Sequence, residues 1–227
     1  YQRDTRASTI YETCRAGRLL MDVGHDVLLV PAQYPTIGDA VRALRRPSTI
    51  MVSPGVYAED VVLVEVPDVV ISTTYFGRRG VVLVGNAADS VVRAENTSVY
   101  LSGIEIRSNG RARAISATRT KMALQECVLA GNRVRGDDDL LEGAGMWCVD
   151  SAVRIQKSML IGNSIEAPKG EARGGALHCT DCKVEIAGCT LQANTLHAGA
   201  GAKGAGVYLA RCRLRLCRAS RKKDHDK

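Results

Sequence analysis

Aromatic side chains are scarce: one Trp, one Phe and seven Tyr among 227 residues. A wide core filled by rings is therefore excluded, and Val, Ile, Leu, Ala and Cys must do the packing, as suits narrow coils. No stretch is long and apolar enough to cross a bilayer, which takes about 20 consecutive residues. No signal-peptide pattern is visible. The chain begins at Tyr1 and not Met, as a processed, truncated or partial sequence would. The eight Cys do not read as a disulfide framework. Cys127 and Cys189 share a repeat column, with Ser158 between them, and Cys148 and Cys179 share another. Such ladders suit a reducing compartment, the cytoplasm or an organelle interior. Cys179-Thr180-Asp181-Cys182 has His178 beside it, but a zinc site needs four convergent ligands. Cys179 is expected to point inward and His178 outward, so no metal or other cofactor is expected.

What the chain does have is a repeat. Cys127-Val128-Leu129-Ala130-Gly131-Asn132 is echoed by Ser158-Met159-Leu160-Ile161-Gly162-Asn163 and by Cys189-Thr190-Leu191-Gln192-Ala193-Asn194. The three Asn are 31 residues apart. Met122 and Leu124 match Val153 and Ile155, then Val184 and Ile186; Ile115, Met146 and Leu177 fall in step. One earlier coil fits at a 23-residue step, matching Val99, Leu101, Ile104, Ile106 and Asn109 to Met122, Leu124, Cys127, Leu129 and Asn132. Apolar-x-apolar triplets at a fixed period, without helical periodicity, signal a solenoid of short strands. The fold expected is all-β: a single-stranded right-handed parallel β-helix with one short helix and an N-terminal capping segment. Successive coils would stack at about 4.8 Å. The recurrent Asn would occupy a turn and bond its neighbour in the next coil or accept a left-handed backbone. The extra residues of the longer coils are Gly-rich and charged, and are expected to form loops along one edge.

Residues 1–26 lack the repeat and are expected to cap the solenoid or grip a partner. Residues 27–216 form the β-helix and 217–227 a basic tail. Val27–Val30 reads as the first strand. Thr36 and Asp39 form a capping arrangement before Ile37, Ala40, Val41 and Leu44 on one helical face, and Pro47 stops that helix. Thr49–Val52 is a strand, Pro54–Tyr57 a turn, and Val61–Leu63, Val69–Ile71, Val81–Leu83 and Val91–Val92 are further strands. The net charge is +7. Much of it lies in Arg211, Arg213, Arg215, Arg218, Arg221, Lys222 and Lys223, within 13 residues. No aromatic residue interleaves with that tail, so nucleic acid is an unlikely partner.

The run VPAQYPTIGDAVRAL followed by STIMVSPGVYAEDVVLVEVPDVVIS resembles the first coils of pectin-lyase-like right-handed β-helices. That group includes pectinesterases, copper-site maturation proteins, and carbohydrate-binding and sugar-hydrolase modules. The resemblance covers about Val27 to Leu216 and is specific for fold, while one fold hosts many roles. A pectinesterase would carry two catalytic Asp, an Arg and oxyanion-stabilising Gln; this chain has no Gln-Asp pair and no Asp-Phe-Ile-Phe-Gly run. A pectate lyase would carry a calcium-binding Asp cluster. The nearest match is Asp137, Asp138 and Asp139 with Glu142, and consecutive Asp cannot all face one ion without a special turn. No outward column offers the opposed carboxylates of a glycosidase. Glu185 lies between Arg154 and Arg215 in one column, a surface charge ladder.

One outward column stands apart. Trp147, His178 and Tyr208 follow the inward Met146, Leu177 and Val207, and are expected to stack as a ridge, either exposed to bind sugar or a protein or packed under the inserted loops or a neighbouring segment. The expected function is a non-catalytic β-helix scaffold, an interaction or structural subunit that binds other protein subunits. The alternative is a protein that binds or cleaves polysaccharide, with the Asp137–Asp139 loop and Glu142 as edge residues.

Overall fold

The computed structural model describes residues 26–74, 80–86 and 89–217. The expectations for residues 1–25 and for Arg218, Arg221, Lys222 and Lys223 lie outside the described residues. Within them, strands form five sheets in which every pairing is parallel. Sheet A has eight strands, from Asp26–Val30 to Arg213–Cys217. Sheet B has six, from Gly55–Tyr57 to Thr190–Gln192, and sheet C six, from Val61–Val64 to Val207–Ala210. Sheets D and E have three each. One lap runs Met146–Val149 in sheet C, Ala152–Gln156 in A, Met159–Ile161 in B, Ser164–Ala167 in D and Glu171–Arg173 in E. Each strand pairs with its equivalents one lap away, so the chain is a parallel β-helix.

The repeat columns are the strand registers. Met122, Val153, Val184 and Leu214 are aligned in sheet A. Ile115, Met146, Leu177 and Val207 are aligned in sheet C. Val99, Leu101 and Ile106 take the 23-residue step. Leu129, Met146, Ile155 and Leu160 are buried in one continuous core. Alternation along each strand turns every second side chain inward.

Two expectations need correction. The extra residues of the long laps are loops only at the connections 136–139, 168–170 and 199–200; the residues on either side of these are short strands. These strands form sheets D and E, whose inward Val134, Leu141, Ile165, Ala167 and Ala172 enclose a second apolar core. Arg133-Val134-Arg135 shows the cause: one apolar residue between two cations is enough to pin a three-residue strand. Gly55–Tyr57 is likewise a strand and not a turn. It pairs with Val81–Leu83, half-buries Tyr57 against the core and leaves Val56 exposed. The helix is Ile37–Arg42, and the Thr36 hydroxyl accepts from the Asp39 amide at 3.0 Å. Glu59 takes the Ile37 and Gly38 amides, both at 2.8 Å, a cap supplied from outside the helix.

The corners explain how the laps stay aligned. Those between sheets C and A bend at a left-handed residue, Asn96, Arg119, Asp150, Asp181 or Arg211, and those between A and B do so at Glu126 and Lys157. Such a conformation costs about 1–3 kcal/mol for a residue with a Cβ. Its amide is offered to the lap above: Arg119 N donates to Val149 O at 3.0 Å, Asp150 N to Thr180 O at 3.1 Å, and Lys157 N to Ala187 O at 2.9 Å. The next residue is small and polar. Thr120, Ser151, Cys182 and Cys212 form one file, and Cys127, Ser158 and Cys189 another. Each hydroxyl or thiol donates to the carbonyl two residues back, as Ser151 does to Val149 O at 2.7 Å and Cys189 to Ala187 O at 3.4 Å. Cys127, Cys182, Cys189 and Cys212 are thus corner hydrogen-bonders, while Cys148 and Cys179 are inward core residues of sheet C.

The Asn file works in the same way. Asn132 and Asn163 are fully buried. Asn132 Nδ2 donates to Asn163 Oδ1 at 2.8 Å, and Asn163 Nδ2 to Asn194 Oδ1 at 3.0 Å and to Leu129 O at 3.0 Å. The left-handed residue is the one before: Gly131, Gly162 or Ala193. Asn109 does not belong to the file. It is exposed and bonded to Asn86, and the Ser108 amide donates to Asn132 Oδ1 instead. The short lap ends one residue early there, so the 23-residue alignment fails at that position.

Replacing Asn163 by Ala would strand the Asn132 amide groups and the Leu129 carbonyl in the interior. A loss of about 2–4 kcal/mol in urea unfolding is expected, against under about 0.5 kcal/mol for Asn109→Ala. Burial raises the Cys127 thiol to about 11; Cys179 is raised first by its hydrogen bond with Cys148 and Cys182 by its hydrogen bond with Cys179, with burial adding to both. Thiol-reactive dye should therefore label these three only after denaturation, at a rate set by unfolding.

Candidate functional site

Trp147, His178 and Tyr208 occupy one register column on the outer face of sheet C, continuing Arg93 and Ser116. Beside it, sheet E supplies a second column of Glu142, Arg173 and Lys203. The two columns meet because the corner between the sheets is very tight. Gly143 and Gly174 sit there with φ +61° and +65°. A Cβ on Gly174 would come within 2.6 Å of the Leu177 carbonyl and 2.8 Å of His178 Cβ. Glycine lets the chain turn sharply from sheet E into sheet C, so the side chains of the two columns meet in the groove-like corner between the sheets.

The expected ridge is accordingly one wall of that groove. His178 points away from the main core, yet only 1% of it is exposed. It stacks on Tyr208 with ring centroids 5.2 Å apart. Trp147 and Tyr208 are half-buried. The guanidinium of Arg113 lies over the Trp147 ring at 5.4 Å, and that of Arg173 over the Tyr208 ring at 5.4 Å. Cation–π contact of this kind contributes about 0.5–2 kcal/mol. The burial comes from sheet E, whose existence the loop reading of the extra residues obscured.

Glu142 joins the columns. Its Oε2 accepts from Trp147 Nε1 at 3.1 Å, and its Oε1 lies 3.4 Å from His178 Nε2 and 4.0 Å from an Arg173 nitrogen. It is not grouped with the Asp run. Asp137, Asp138 and Asp139 lie at the exposed connection between sheets D and E, where Asp137 pairs with Lys169 at 3.0 Å. Among the described residues no cluster of His, Cys, Asp or Glu is arranged to hold a metal ion.

His178 Nε2 also lies 3.0 Å from Thr180 Oγ1, while its buried Nδ1 has no hydrogen-bond partner among the described residues. In a nucleophile–His–acid relay the hydroxyl bonds one ring nitrogen and the acid the other. Here hydroxyl and carboxylate converge on the same nitrogen, so this trio is not arranged as such a relay. Burial holds His178 below the ordinary imidazole range, outweighing the nearby Glu142 carboxylate. Arg113 is likewise pulled down by burial, opposed by Asp89 and Glu142. Arg173 is pushed up chiefly by its hydrogen bonds to Glu171.

Sequence reasoning found the aromatic column but missed Arg113, Arg173, Lys203 and Thr180. A signal was present: Glu142-Gly143, Arg173-Gly174 and Lys203-Gly204 recur at near-constant spacing four residues before Met146-Trp147, Leu177-His178 and Val207-Tyr208.

No protein-family description matches the chain, and no curated protein does. Among solved structures, the chain is similar to a pectin methylesterase in complex with a hexasaccharide, at 12% identity and a TM-score of 0.43. That match covers 71% of this chain and 66% of the other, so the chain spans just under two thirds of that enzyme's length. A second pectin methylesterase structure, an Asp-to-Ala mutant with another hexasaccharide, matches at 10% identity and a TM-score of 0.43, over 89% of this chain and 92% of that one.

Because the native pKa of His178 is depressed, the folded protein binds fewer protons than the unfolded chain below about pH 6.5. The His178 contribution to stability is complete above that pH and is lost as pH falls toward the depressed value. Unfolding free energy measured from pH 8 to pH 5 should therefore drop less steeply in His178→Gln than in the wild type.

Proposed function

We propose that this chain is a non-catalytic β-helix scaffold, an interaction or structural subunit of a larger protein assembly, and that the groove between sheets C and E receives its partner. The observation that carries this is how the ring faces are used. A sugar ring needs a free aromatic face to lie on, whereas Trp147 and Tyr208 each have a guanidinium over them and His178 is buried. Glu142 is engaged by Trp147 and flanked by His178 and Arg173, so its side chain is held in place by neighbours of the groove itself. Glycoside hydrolysis asks for two carboxylates set across the bond to be broken.

A rigid solenoid suits a docking role, since each lap contacts only its neighbours and presents its outer columns at fixed spacing. Anchors at such interfaces are enriched in Trp, Tyr and Arg, the residue types that line this groove. The tagged chain should retain a protein partner near stoichiometric amounts from an extract of its source cells. A Trp147→Ala/Tyr208→Ala double variant, checked for a native melting curve, should lose at least tenfold of it. Binding or depolymerisation of acidic polysaccharide by the purified chain, with or without calcium, would overturn the scaffold reading in favour of the carbohydrate one.

A further inference from the structure

Arg113 stands at the foot of the groove, on the sheet C strand Arg113–Thr118 that opens the first long lap. Its side chain is 16% exposed and is the least satisfied cation of the site. The buried Nε has no hydrogen-bond partner among the described residues. Its ion-pair contact is with Asp89, 3.4 Å from Nε, and that carboxylate is itself 66% exposed. The face of the guanidinium is taken by Trp147, which leaves the edge for in-plane hydrogen bonding. A guanidinium edge matches the two oxygens of a carboxylate, and such bidentate pairs are both strong and directional. Arg173, the other stacked guanidinium, differs: its edge is already filled by Glu171, at 3.2 and 2.6 Å.

A mostly buried cation with an unfilled donor is costly unless something completes it. Asp89 shades the Nε edge without meeting hydrogen-bond geometry, as a loosely held resident would. We infer that Arg113, backed by Trp147, is a receptor for a carboxylate of an acidic protein segment, which displaces Asp89 from the guanidinium edge. The inference rests on the groove being a protein-docking surface. A uronic-acid sugar carries the same carboxylate, but one face of each ring it could stack on is already covered by a guanidinium, so the sugar is kept as an arm of the test.

The test titrates the purified full chain with hexaglutamate, with hexaglutamine as the neutral control and trigalacturonate as the sugar arm. Heat of binding is measured beside the emission of Trp147, the single Trp of the chain, so the optical signal reports this site alone. Hexaglutamate should bind and shift the emission, and hexaglutamine should not. Arg113→Lys keeps the charge but loses the fork, and should weaken binding at least tenfold with an unchanged melting curve. Asp89→Asn removes the internal competitor and should strengthen it severalfold. The inference is overturned if hexaglutamate fails to bind, if neither variant changes its affinity, or if trigalacturonate binds as tightly. Partner capture that succeeds while hexaglutamate fails would sink the Arg113 assignment and leave docking intact. Hexaglutamate binding with no captured partner would support the assignment and count against the assembly role.

Discussion

Every lap of this molecule depends on one requirement: a backbone that turns sharply inside a stack must find hydrogen-bond partners in the lap above or below. The corners meet it with a left-handed residue followed by a small polar one. The left-handed amide donates upward, as from Asp150 to Thr180 O at 3.1 Å. The small side chain ties the turn back to its own strand. A parallel sheet alone would allow neighbouring strands to slide by two residues with the same face inward. The corner bonds and the fully buried Asn132–Asn163–Asn194 file make that slip leave interior groups unpaired. The register that stacks the aromatic column is therefore set at the corners, far from the groove itself.

That dependence explains which parts of the structure could be read in advance. Inward positions such as Met122, Val153 and Val184 are legible because burial restricts them to apolar residues at a fixed interval. The Asn and Cys/Ser files are legible for the same reason. Left-handed corners are far less so, because Arg119, Glu126 and Lys157 carry no mark of that conformation in their chemistry. Their side chains leave the solenoid for solvent, and the backbone conformation is imposed by the stack.

Sheets D and E were hidden by their shortness. Three-residue strands such as Arg133–Arg135 and Glu171–Arg173 contribute one inward side chain each, too little for periodicity to register against the surrounding Gly and charge. Once those strands exist, Glu142, Arg173 and Lys203 become a column, and the aromatic file becomes a wall. The candidate site was thus half legible. The side on sheet C follows from alternation, and the side on sheet E requires knowing that charged, glycine-rich insertions can pair with one another.

The step from a 23-residue lap to 31-residue laps has a geometric consequence. Sheets D and E begin abruptly with Arg133–Arg135 and Leu140–Glu142, so the groove starts beside Arg113 and grows from there by one layer per long lap. Its depth is a property of each lap, but its length is simply the number of long laps times the strand spacing, about 4.8 Å each. Duplicating or deleting one 31-residue unit in the gene would lengthen or shorten the recess by a single rung while leaving its cross-section alone. The extent of the recess along the solenoid is thus separable from the chemistry of its walls.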